Sequence, residues 1–121
     1  MSYESVPGGN QPGGPSGARA GTPRVFFERV ELNTILRLYG RMVAQGEWRD
    51  YAIDGLSDCA VFSVFERASD NPLYRIEKRP ALANRQGAWA ILGQGGMILK
   101  RGHDLGQVLK IFDKGRFAVV E

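Results

Sequence analysis

The change of hydrophobic period at Gly46 constrains this chain more than any other feature. From about Arg29 to Gln45, Leu32, Ile35, Leu36, Tyr39, Met42 and Val43 recur at spacings of three and four, the stripe of an amphipathic helix. Glu31, Thr34, Arg37, Arg41 and Gln45 lie away from that stripe. Beyond Gly46 the apolar residues alternate or run in short blocks. Strands are predicted at Trp48–Ile53, Ala60–Glu66, Leu73–Lys78, Trp89–Leu92 and Met97–Lys100. Turn signals separate them: Asp54-Gly55, Asp70-Asn71-Pro72, Pro80 and the glycine-rich Gly93–Gly96. One helix followed by strands in succession argues for an α+β domain built on a mainly antiparallel sheet.

Both ends of this pattern carry further elements. Val25-Phe26-Phe27 is predicted as a short strand ahead of the helix. Glu28 and Glu31 suit the positive end of the helix dipole, and Gly46 suits a left-handed C-cap. Asp104 is placed to cap a second, shorter helix with Leu105, Val108, Leu109 and Phe112 inward; Gly115 breaks it and Phe117–Val120 is a last strand. Gly40 sits inside the long helix, where glycine costs about 1 kcal/mol relative to alanine. Close packing of another element is the expected reason.

Residues 1–24 form a different kind of sequence. They hold six of the 16 glycines and four of the six prolines, and almost no large apolar side chains. Such a stretch cannot bury enough surface to offset the entropy of ordering, so it is expected to be a disordered tail ahead of a single domain at 25–121.

Composition excludes several function classes. No apolar stretch reaches eighteen residues, so no membrane span is expected, and the N-terminus shows no apolar signal region. Cys59 is the only cysteine and His103 the only histidine, so neither an internal disulfide nor a Cys/His zinc site is expected. No cofactor motif is present: the Gly93–Gly96 loop joins two strands, whereas phosphate-binding glycines lead into a helix. These features point to a cytoplasmic protein.

Candidate chemistry is sparse. His103 beside Asp104 has the composition of an acid–base pair, but Asp104 is wanted as a helix cap. Cys59 has Asp58 as neighbour, the wrong charge for an activated thiol. Asp50, Asp54 and Asp58 fall on strand and turn rather than on one helix face, as solvated acids. Catalysis is therefore not the expectation. Two binding readings remain. Arg37, Arg41, Trp48, Arg49 and Tyr51 combine arginine with aromatics, types enriched at protein interfaces. Arg75, Lys78, Arg79, Lys100 and Arg101 form a candidate nucleic-acid patch, if their strand ends converge near Tyr74 and Trp89. The first makes the chain a binding or regulatory module acting through a protein partner; the second is the alternative. A homodimer is compatible with either.

The segments Ile35-Leu36-Arg37-Leu38-Tyr39-Gly40-Arg41-Met42-Val43, Gly46-Glu47-Trp48-Arg49-Asp50-Tyr51-Ala52-Ile53, Ala60–Phe65, Pro72–Pro80 and Ile98–Leu105 carry a family resemblance. The sequence resembles a small alphaproteobacterial family, domain of unknown function 2794, over nearly all of Phe27–Asp113. The resemblance implies a bacterial cytoplasmic domain; it transfers no activity and no site residues.

Overall fold

The computed structural model describes residues 24–66 and 71–113. The predicted tail before Arg24, the Asp70 turn position, Gly115 and the strand at Phe117–Val120 lie outside them. The described elements are helix α1 (Arg29–Ala44), strands β1 (Asp50–Gly55), β2 (Ala60–Phe65), β3 (Tyr74–Lys78), β4 (Trp89–Leu92) and β5 (Ile98–Gly102), and a short helix α2 (Leu105–Leu109). Helical backbone resumes at 111–113. The strands form one antiparallel sheet in the order β1-β2-β3-β4-β5. The α+β class and the antiparallel sheet expected from the hydrophobic period are the observed ones.

Register decides which side chains meet. Phe62 stands opposite Ile76, and Ile76 opposite Ile91. These three and Ile35 of α1 are completely buried in one cluster with Leu38, Met42, Val64, Trp89, Val108 and Leu109. Both helices therefore cover the same sheet face. The other face carries Val61, Ser63, Glu77, Ala90 and Leu92, all buried yet outside that cluster.

The ends of α1 are built as its sequence suggests. Glu31 Oε1 accepts from the Glu28 N–H at 2.8 Å and also from Lys78 Nζ at 2.7 Å, tying the first turn to β3. At the C-terminus the Gly46 N–H donates to the Val43 carbonyl and the Glu47 N–H to the Met42 carbonyl, both at 2.9 Å, with Gly46 at φ +79°. This is the Schellman arrangement. It turns the chain inward, so Trp48 is buried and packs edge-on against Phe112 with ring centroids 5.1 Å apart. The first strand consequently begins at Asp50, two residues later than predicted.

Three expectations are corrected. Val25–Phe27 is no strand: it crosses the ends of the strands instead of running beside one. Phe26 lies against Gly55 of β1, the Phe26 carbonyl accepts from Lys78 Nζ of β3, and Phe27 stacks on Trp89 of β4. The buried line of α1 is Ile35, Leu38 and Met42, so the core takes Leu38, absent from the predicted stripe. Leu32, Leu36 and Tyr39 are only partly buried and Val43 is exposed. Gly40, finally, has no close neighbour among the described residues outside its own helix: a Cβ there would meet nothing within 4 Å.

The two conspicuous glycines should respond oppositely to alanine. Gly87 has φ +108°, and a Cβ on it would sit 2.2 Å from the Gly102 backbone. Gly87→Ala should cost about 2 kcal/mol or more, from backbone strain and displacement of the strand behind it. Gly40→Ala should stabilise by about 0.5–1 kcal/mol. Urea denaturation of both variants checks the signs.

Candidate functional site

The two groups of candidate residues meet different fates. In the cationic group, alternation along the strands splits the side chains between faces. Lys78 and Lys100 stand on the helix-covered side, in register with Trp89 and Ile91; Arg75 and Arg101 stand on the other, with Leu92 and Ala90. Lys78 is engaged by Glu31. Arg79 bridges Glu77 at 3.0 Å and Asp58 at 3.1 Å. Tyr74 and Trp89 belong to the core side and offer no open stacking platform. The five cations thus share no single surface.

The second group is divided by α1 itself. Trp48 leaves the surface altogether, because the Schellman turn delivers it to the core. Arg49 and Tyr51 lie at the start of edge strand β1, where the Tyr39 hydroxyl donates to the Arg49 carbonyl at 2.6 Å. Tyr51 stacks on Phe62 at 4.9 Å and meets Tyr39 edge-on at 4.8 Å. Arg37 and Arg41 are on the opposite flank of α1, facing α2.

That flank carries a groove. Thr34, Arg37, Leu38 and Arg41 on α1 face Gly106, Leu109, Lys110 and Asp113 on and beyond α2 across a cavity of about 430 Å³. Both sets have the spacing i, i+3, i+4, i+7; the first is one stripe of α1, and the second runs from α2 through the turn at Lys110 into the helical residues 111–113. Leu38 and Leu109 are buried and form the floor. Arg41 pairs with Asp113 at 2.7 Å. Arg37 and Lys110 are exposed and make no ion pair among the described residues. Three cations and one carboxylate leave the rim positive. Lys110 was the member that sequence reasoning missed; its position as the residue closing the short helix that Asp104 caps was the available signal.

The catalytic candidates are occupied elsewhere. Asp104 accepts from the Gln107 N–H at 2.9 Å, as a cap, and His103 Nδ1 lies 3.1 Å from the Ala83 carbonyl. Asp50 and Asp54 are exposed on β1, and no three His, Cys, Asp or Glu residues converge among the described residues. The Gly93–Gly96 loop is a single turn between strands, with positive φ at Gly95 and Gly96. Hydrogen bonding from Arg79 holds the Asp58 carboxyl below the usual range, and Glu77 raises the Arg79 guanidinium further. Burial pushes the Cys59 thiol up, against the opposing pull of Arg79. A buried, protonated thiol reacts slowly. Alkylation of Cys59 by iodoacetamide at neutral pH should therefore be slow in the folded chain and fast in urea.

No curated protein and no solved structure matches this chain. A family model does match, described as a protein of unknown function, DUF2794, and it covers residues 25–109. That span takes in α1, all five strands and α2; Lys110, Phe112 and Asp113 lie just beyond it. The chain belongs to the DUF2794 family of proteins of unknown function.

Proposed function

We propose that this chain is a non-catalytic binding module that receives an acidic segment of a partner protein in the groove between α1 and α2. One observation carries the reading: a stripe of α1 and the facing side of α2 and the turn after it join an apolar floor, Leu38 and Leu109, to a cationic rim, Arg37, Arg41 and Lys110. An apolar floor favours a segment with its own apolar side chains. The positive rim favours glutamates and aspartates beside them, and this complementarity selects the partner and speeds encounter. An amphipathic acidic helix laid between two helices is an established mode of peptide recognition. The bacterial cytoplasm is the compartment we assign to it; the lone thiol, which needs no oxidising environment, supports that assignment.

A labelled amphipathic peptide of leucine and glutamate tests the reading by fluorescence anisotropy. It should bind saturably, and more weakly as salt rises. Arg37→Glu with Lys110→Glu should weaken it by about tenfold or more with unchanged circular dichroism, because both residues are exposed. A peptide that does not bind, or binds the double variant equally well, overturns the proposal.

A further inference from the structure

We infer that β1 is an acceptor edge for an extended, positively charged segment of a partner protein. The surface is independent of the α1–α2 groove and lies on the other flank of α1. Among the described residues β1 has a partner strand on one side only. The bond from the Leu56 N–H to the Cys59 carbonyl, 2.8 Å, sets the alternation of the β1–β2 ladder. By that alternation Asp50, Ala52 and Asp54 bond to β2, while the peptide groups of Tyr51 and Ile53 face outward. Tyr51 and Ile53 are each 44% exposed. They continue the apolar flank of α1 formed by Leu32, Leu36, Tyr39 and Val43, the part of the helical stripe that the core does not use. Two outward peptide units beside exposed apolar side chains are the requirements for adding a strand.

The charge on the strand selects what it accepts. Asp50 and Asp54 are exposed and point to the face away from the helices. A second copy pairing antiparallel about Ala52 sets Asp50 against Asp54 twice, and like charges directly opposite oppose pairing. An extended segment alternating lysine or arginine with apolar residues satisfies both faces at once. The far end of the same edge carries backbone contacts made by the chain itself. Arg24 Nη1 donates to the Gly55 carbonyl at 2.7 Å, the Val25 N–H donates to the Leu56 carbonyl at 2.8 Å, and the Phe26 ring lies against Gly55. These three residues close that end, and among the described residues Tyr51 to Ile53 stay open.

A short peptide alternating lysine and valine, added to the ¹⁵N-labelled full chain, tests this by amide hydrogen exchange. The expected result is saturable binding with about tenfold or greater slowing at the Tyr51 and Ile53 amides. Asp50→Lys with Asp54→Lys should abolish that response and transfer it to a peptide alternating glutamate and valine. The wild-type exchange pattern stands as a test even if this variant folds poorly. Absence of binding at millimolar peptide overturns the inference. So does binding that leaves these two amides fast or slows the β5 amides of Leu99 and Arg101 instead. Slowing that appears without peptide as protein concentration rises overturns it too, because a second copy is then the occupant.

Discussion

Four fully buried side chains set the rest of the structure. Phe62, Ile76 and Ile91 are direct cross-strand neighbours, and Ile35 joins them from α1. Their contact fixes the rotation of α1 about its own axis. With Ile35, Leu38 and Met42 turned to the sheet, Leu32, Leu36, Tyr39 and Val43 lean toward β1, and Thr34, Arg37 and Arg41 lean toward α2. The acidic apolar edge and the cationic groove are thus two outcomes of a single packing choice. Neither could be moved without rotating the helix out of its core.

Much of this was legible beforehand. The helix from Arg29, its glycine stop at 46, the strand Trp89–Leu92 and the Asp104 cap all come from local rules, and the structure keeps them. What was not legible depends on tertiary choice. The apolar stripe of α1 is wider than one contact line, and only the sheet decides that Leu38 is inside while Val43 is out. Phe26 and Phe27 have strand composition, but their partners Gly55 and Trp89 lie on different strands, so the segment crosses the sheet. Trp48 has the composition of an interface anchor and is drawn into the core by a turn whose geometry involves hydrogen bonds to Met42 and Val43.

The candidate sites follow the same division. Residue types alone marked Arg37 and Arg41, and the groove keeps them together. The cationic set failed to assemble because strand alternation is strict: residues one apart, such as Lys78 and Arg79 or Lys100 and Arg101, face opposite sides of a sheet. Carboxylates then claim individual members, Glu31 for Lys78, and Glu77 with Asp58 for Arg79. A count of positive residues in sequence says nothing about these partners.

The strand order β1-β2-β3-β4-β5 carries a kinetic meaning as well. Every ladder joins strands consecutive in the chain, so each forms by closing a short loop. Folding rates fall as contacts become more distant in sequence, and sheets with crossover connections are slow for that reason. The demand for distant encounter falls on the helices and the segment before α1: Glu31 must find Lys78, Phe27 must find Trp89, and Arg41 must find Asp113. The meander can therefore assemble as a chain of hairpins, with the helices and the segment before α1 closing over a sheet whose register is already set.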